Sequence, residues 1–177
     1  CLQRSEILRK WLDLVNQNMQ ELAQIMTTEQ GKPLAEAVAE MKYAASFIEW
    51  FAEQAKRTYG STIPAPTSSQ RMWTIKQGVG VCAVVTPWNF PAAMITRKVA
   101  PALAAGCTCI IKPASQTPLT ALALVALAEQ AGVPKGVINI LFGRGREIAT
   151  PIMKSGKISI LALIGNSKSA IALQDLH

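Results

Sequence analysis

Two short segments carry side chains suited to chemistry, Thr86-Pro87-Trp88-Asn89-Phe90-Pro91 and Lys112-Pro113-Ala114-Ser115. Asn89 is uncharged and offers an NH₂ donor. At a strand end it could donate to a carbonyl oxygen that becomes negative during a reaction, as an oxyanion-hole residue does, or it could simply be a turn asparagine. Trp88 could cover a flat ring such as adenine or nicotinamide, or belong to the core. Lys112 closes an apolar run, where a long cationic stem can reach ribose hydroxyls or phosphate, and Ser115 can hydrogen-bond the same region. A surface lysine is the alternative. Gly143-x-Gly145 looks like part of a dinucleotide loop but lacks the third glycine of GxGxxG.

A reaction centre is harder to assign. His177 is terminal, Glu129 falls within a helical stretch, and Glu147 follows a strand with no nucleophile beside it, so none reads as a general base. Cys107 and Cys109 precede or lie within an apolar strand, where cysteine behaves as a small buried side chain. The residues describe a binding edge without a nucleophile.

The elements that would position these segments follow from periodicity. Apolar residues at helical spacing predict one amphipathic helix from about Arg4 to Thr27 and, after Gly31 and Pro33, a second from about Leu34 to Tyr59. Gly60 to Gln70 reads as a loop and Arg71 to Gln77 as a weak strand. Val79 to Thr86 is apolar on both faces, as in a strand covered on both sides. A helix over Ala92–Ala105, closed by Gly106, leads to a strand over Thr108–Lys112. Thr117 is a candidate N-cap with Pro118 at the first helical position; this helix stops at Gly132, and a strand follows over Val137–Leu141. A short helix to about Lys154, a fourth strand over Lys157–Ile164 and one helical turn beyond Gly165 complete the chain. Alternation of strand and helix implies an open, doubly wound parallel sheet, with ligands beyond the carboxyl ends of its strands. Both chemistry-bearing segments would then sit on one edge, each before a helix N-terminus whose free N–H groups favour anions.

Composition agrees with a folded core. Of 177 residues, 50% are hydrophobic, and the mean hydropathy is +0.22. Uncharged runs such as Val99 to Ile111 are broken by Pro101, Gly106 and Thr108, short of the ~20 apolar residues of a membrane span. Four cysteines with no CxxC pattern, and a single histidine, suggest neither a disulfide framework nor a zinc site. The sequence opens on Cys1 rather than Met without a signal-peptide stretch, so it is expected to begin inside a longer one. Its net charge of +7 comes from one region: between Glu53 and Glu129 there is no carboxylate, but Lys56, Arg57, Arg71, Lys76, Arg97, Lys98 and Lys112 all occur there. Such a field suits an anionic ligand, or is a solvated basic face. Nucleic-acid binding is not expected, since no helix-turn-helix, zinc or RNP signature accompanies the dispersed lysines.

In order and spacing, Thr86–Pro91, Lys112–Pro118 and Gly132-Val133-Pro134-Lys135-Gly136-Val137-Ile138-Asn139 resemble the NAD(P)-dependent aldehyde dehydrogenases. Glu29-Gln30-Gly31-Lys32-Pro33 and Ala45–Glu53 look most like the succinate-semialdehyde branch. The resemblance implies an α/β fold: N-terminal helices (residues 1–60) followed by a partial Rossmann-like dinucleotide-binding part (61–177), in one structural unit. It also implies an oxyanion-hole role for Asn89, a cofactor cleft walled by Thr86, Pro87 and Trp88, and an adenosine-ribose role for Lys112 beside Pro113 and Ala114. Gly145 corresponds to a glycine near the adenosine half, and Arg97 to an arginine associated with the substrate's distal carboxylate. Ser115 stands where many NAD-preferring members have a glutamate that repels a 2′-phosphate, so NADP is favoured over NAD. The family's Phe-Thr-Gly-Ser pyrophosphate loop is replaced here by Ile160-Leu161-Ala162-Leu163-Ile164-Gly165-Asn166-Ser167. Its catalytic glutamate and cysteine lie beyond His177, so the chain is expected to be inactive alone, with a non-catalytic nucleotide-binding or assembly role as the alternative. An aldehyde substrate, a homo-oligomer for the full-length enzyme, no membrane, and a cytoplasmic site (mitochondrial matrix in a eukaryote) are the remaining expectations.

Overall fold

Helices built on apolar periodicity form the first third of the chain. The computed structural model describes residues 1–175, so His177 lies outside the described residues. Helix α1 (Leu2–Gln17) buries Ser5, Leu8, Trp11 and Val15, and α2 (Met19–Gln30) buries Leu22, Ala23 and Met26. These are two helices where periodicity predicts one. The break is at Asn18, whose side-chain Nδ2 donates to the Leu14 carbonyl at 2.8 Å, offering the backbone an alternative to continued helix. Gly31, at φ 81°, closes α2 in the left-handed region that glycine enters without strain. Helix α3 (Leu34–Gln54) then packs its Ala37, Met41, Ala44 and Ile48 inward and ends in a 3₁₀ turn over Ala55–Arg57.

The segment read as a loop contains β1 (Ser61–Ile63), paired antiparallel with β2 (Met72–Thr74). All six residues are exposed. Backbone pairing and one side-chain bond, from the Ser61 N–H to the Thr74 hydroxyl at 3.0 Å, hold this ribbon, and β1 has no burial alternation to betray it.

The second layer is a four-stranded parallel sheet in the order β5-β4-β3-β6, with β3 (Val81–Val85), β4 (Thr108–Lys112), β5 (Ile138–Ile140) and β6 (Ile158–Leu163). Helices α4 (Ala93–Ala105), α5 (Pro118–Gln130), α6 (Gly145–Lys154) and α7 (Ser167–Gln174) intervene or follow. The chain winds outward from β3 through β4 to β5 and returns to the other side of β3, so the strand order reverses between β3 and β6. The two faces bury separate clusters. Helices α4 and α5 share a core with α1 to α3, whereas Ala149, Met153 and Leu173 of α6 and α7 pack with Leu161 and Leu163. This is the doubly wound α/β arrangement implied by the strand–helix alternation.

Trp11 joins the layers. It is 1% exposed, and its indole N–H donates to the Leu124 carbonyl of α5 at 3.0 Å. Replacing it with alanine should cost about 3–5 kcal/mol, and with phenylalanine about 1–2 kcal/mol, because the carbonyl loses its partner. Urea unfolding followed by far-UV circular dichroism measures both; an unchanged midpoint in the phenylalanine variant would show that the hydrogen bond contributes nothing.

Candidate functional site

Strand pairing puts the two chemistry-bearing segments side by side. Val85 and Lys112 are partners at the carboxyl ends of β3 and β4, and the Thr86 N–H donates to the Lys112 carbonyl at 3.3 Å. Beyond β3, Thr86 is buried, Pro87 half-buried, and Trp88, Asn89 and Phe90 are exposed. Trp88 is thus a surface ring rather than a core one. The Ile164 N–H donates to the Val85 carbonyl, which brings the end of β6 to the same place. Asn89 therefore lies in the loop at the point where strand order reverses, the usual ligand position in such sheets.

Lys112 is no surface lysine. It is 5% exposed, its Nζ donates to the Pro113 carbonyl at 2.7 Å, and burial lowers its pKa from the ordinary lysine range. No described carboxylate lies within ion-pair distance of it. A buried cation with a single carbonyl partner is expensive for a fold to keep, and it retains two further N–H donors for a ligand.

Next to it, Pro113, Ala114, Ser115, Pro118, Leu119, Leu122, Phe142, Gly143 and Arg144 line a cleft of about 470 Å³. Ser115 Oγ donates to the Gly143 carbonyl at 3.0 Å, tying the loop after β4 to the loop after β5. Mostly apolar walls with one hydroxyl and the exposed guanidinium of Arg144 suit a flat heteroaromatic ring carrying an anionic group. A Cβ added at Gly145 would meet nothing within 4 Å, so open space lies over the first turn of α6. The residues present therefore fit a nucleotide cofactor. Arg97 does not line this cleft; it is exposed on α4, with its guanidinium 5.3 Å from the centre of the Phe47 ring, which in turn meets Tyr43 edge-on.

The expectation that helices α4 and α5 offer free N-termini to an anion is corrected by the structure. Glu40 of α3, 3% exposed, accepts the N–H groups of Ala92 (2.9 Å) and Ala93 (3.3 Å) through one oxygen and pairs with Lys32 through the other. Glu29 of α2 accepts from Leu119 N–H at 2.7 Å, from Thr120 N–H at 2.9 Å and from the Thr120 hydroxyl. Thr117 stands at the N-cap position, but its hydroxyl makes no cap bond. Both helix ends are already filled by internal carboxylates. Gln30 and Lys32 complete the arrangement: Gln30 Nε2 donates to the carbonyls of Trp88 (2.9 Å) and Asn89 (3.1 Å), and Lys32 Nζ to that of Asn89 (2.9 Å). Periodicity contains one hint of this, since Glu40 falls on the apolar face of α3 between Ala37 and Met41.

The three buried cysteines offer no nucleophile here. Cys82, Cys107 and Cys109 are buried, and burial first, neighbouring thiols second, pushes Cys82 up to about 11 and Cys109 up to about 12. Lys98, one residue past Arg97, is displaced the other way. Burial, and then the adjacent Arg97 charge, lowers it to about 8.

An open parallel sheet with a ring-sized cleft, a buried lysine and an exposed amide at its carboxyl edge is a doubly wound α/β fold of the cofactor-domain type. Residues 1–175 match the aldehyde dehydrogenase family. The chain belongs to that family. It is 55% identical over 166 residues to a glutarate-semialdehyde dehydrogenase of Pseudomonas putida, covering 94% of this chain and 35% of that protein. It is 54% identical over 166 residues to an NADP(+) succinate-semialdehyde dehydrogenase of Escherichia coli, with 94% and 34% covered. A crystal structure of an aldehyde dehydrogenase from Brucella melitensis biovar abortus superposes with a TM-score of 0.96 at 58% identity, over 99% of this chain and 36% of that one. The chain spans about a third of the length of these relatives.

The Lys98 shift has a signed consequence for stability. The folded chain holds this lysine at about 8 against the ordinary 10.5, so between those values the unfolded state binds more protons and stability rises with pH. Below about pH 8 the penalty of burying the charge is fully present. Lys98→Met should therefore be stabilised relative to the parent most strongly below pH 8, with the gap shrinking towards pH 10.5; paired urea midpoints across that range test it, and a pH-independent gap would contradict it.

Proposed function

We propose that this chain forms the cofactor-holding and oxyanion-holding part of an enzyme that oxidises succinate semialdehyde, or a related semialdehyde, to the acid, with NADP favoured over NAD. The buried, unpaired Lys112 beside the Ser115 cleft carries this reading. A fold retains such a charge at a cost, and ribose hydroxyls and phosphate oxygens are the acceptors its free donors suit. Semialdehyde dehydrogenases among the relatives support the substrate class, and the E. coli relative's NADP(+) designation supports the cofactor preference.

The residues divide the work. Lys112 holds the adenosine ribose, and Ser115, which presents no charge, leaves room for a 2′-phosphate. Trp88, Pro87 and Thr86, at the end of β3 and outside the Ser115 cleft, wall the continuation of the cofactor path, and Gly145 keeps open the surface beside the adenosine half. Asn89 donates its side-chain N–H to the aldehyde oxygen as negative charge develops there. Arg97 pairs with the distal carboxylate of the substrate. When bound, the nicotinamide supplies the hydride acceptor. Residues 1–60 serve as the helical support and 61–177 as the cofactor part of one unit. The full-length enzyme works as a cytoplasmic homo-oligomer. The 177 residues alone are silent towards aldehydes, because the resemblance matches none of their cysteines or glutamates to the family's catalytic pair. A second reading, a non-catalytic subunit that pairs with full-length chains, draws on the terminal place of β6 in the sheet order among the described strands and on Ile160, 45% exposed. Size-exclusion chromatography with and without full-length enzyme separates the two.

Isothermal titration of the chain with NADP and NAD tests the cofactor site. Ser115→Glu should weaken NADP at least about tenfold and reverse the preference towards NAD. Lys112→Met should lose about 10- to 100-fold in affinity for both, the equivalent of a charged hydrogen bond, without lowering the unfolding midpoint. Loss of stability without loss of binding would make Lys112 a structural residue. NADPH production from succinate semialdehyde by the pure chain would overturn its catalytic silence.

A further inference from the structure

The carboxamide of Asn89 is exposed and makes no hydrogen bond among the described residues, so its aim must come from the main chain that carries it. That main chain is gripped at both ends of a short span. On one side the carbonyls of Trp88 and Asn89 receive Gln30 Nε2, and Lys32 Nζ also reaches Asn89. On the other the N–H groups of Ala92 and Ala93 enter Glu40. Only Phe90 and Pro91 intervene, and proline fixes its own φ near −65°. The two grips are one object, because Lys32 and Glu40 are ion-paired, with side chains 11% and 1% exposed. Lys32 also lies 4.4 Å from the centre of the Phe90 ring, closing the span from above.

From this geometry we infer that Lys32, paired with Glu40 and assisted by Gln30, is a positioning residue for the Asn89 amide, acting through the main chain of residues 88–93 and not on the nucleotide cleft. The cleft-side loop has its own separate tie in Glu29, which reaches Leu119 and Thr120. The inference rests on the reading of Asn89 as the oxyanion donor for its functional meaning, but its physical content is independent of that reading. Glu29 and Lys32 are three positions apart and hold different loops, so their substitutions should disturb different parts of the edge.

The test is a set of ¹H–¹⁵N spectra of the whole chain, following the Asn89 side-chain NH₂ pair and the backbone amides of 88–93 and 114–120. Lys32→Met and Glu40→Gln should shift or broaden Asn89 and its neighbours while 114–117 keep their parental positions. Glu29→Gln should do the reverse, and Lys32→Arg should restore the Asn89 resonances. Gln30→Ala, a milder change, should move the same Asn89 signals by a smaller amount, and it decides the matter if Lys32→Met fails to fold. Unchanged Asn89 resonances in a folded Lys32 or Gln30 variant, or equal disturbance of both loops, would overturn the positioning role. Failure of Asn89 as an oxyanion donor would instead leave these spectra as expected and show only in the kinetics of an Asn89→Ala enzyme bearing the complete catalytic machinery.

Discussion

The buried ion pair between Lys32 and Glu40, with Glu29 close by in the chain, is the constraint on which the rest of the binding edge depends. Two helix N-termini follow the chemistry-bearing loops, and each begins with amides that have no partner inside its own helix. In this fold carboxylates from the helical layer fill them, Glu40 at α4 and Glu29 at α5. The arrangement gives the carboxylate-free stretch between Glu53 and Glu129 a different meaning. Helices α4 and α5 lie wholly or mostly within it and contain no acidic residue in their first turns, yet both are capped by acids brought in from α2 and α3. The helical layer thus supplies the counter-charges as well as the apolar packing. With both ends filled, the cations left beside the cleft are Lys112 and Arg144, the latter 3.9 Å from Glu147.

The same low-dielectric edge acts in opposite senses on its titratable groups. Burial penalises the charged form, so Cys109 in the middle of β4 is driven up and kept as a thiol, whereas Lys112 at the end of the same strand is driven down. The cysteine settles the conflict by staying neutral and packing as a small apolar residue. The lysine donates to the Pro113 carbonyl and keeps donors to spare. Two residues of one strand separate an inert sulfur from a poised cation, both buried, and the carbonyl within reach at the strand's carboxyl end makes the difference.

Much of the architecture could be read from local pattern. Strand β4 occupies the expected Thr108–Lys112, α5 begins at the expected Pro118, and Gly106 ends α4 at φ 86°. These depend on apolar runs and on residues whose backbone preferences act within a turn. What escaped reading depends on distance or on balance. The α1–α2 break rests on the side chain of Asn18 competing for a carbonyl within an otherwise unbroken periodic stretch. Strand β1 is exposed along its length and has no hydrophobic alternation, whereas its partner β2 falls within the weak strand expected over Arg71–Gln77. The caps join residues 52 and 90 positions apart, and Thr117 takes the expected N-cap position without its hydroxyl making the cap bond. Residue types singled out Asn89, Lys112 and Ser115 as candidates, but burial, which separates a poised lysine from a solvated one, is a property of the packed sheet.

The final strand shows how far pairing can hold a topology after a motif has changed. The stretch Ile160 to Ser167 does not contain the expected loop motif, yet β6 still runs parallel to β3. The register slips once, so that Val81 faces Ile158 and Cys82 faces Ile160, leaving Ser159 as the extra residue. A bulge of this kind absorbs one residue while the ladder on either side continues, because ladder bonds come from the main chain and do not consult the side chains. After the slip Ile164 still donates to Val85, and α7 begins at Ser167, so a strand, a turn and a helix occupy the reversal point. The sheet's order is therefore set by backbone pairing against β3 and by Leu161 and Leu163 packing towards α6 and α7, whereas any affinity at that turn has to come from the particular residues now placed in it.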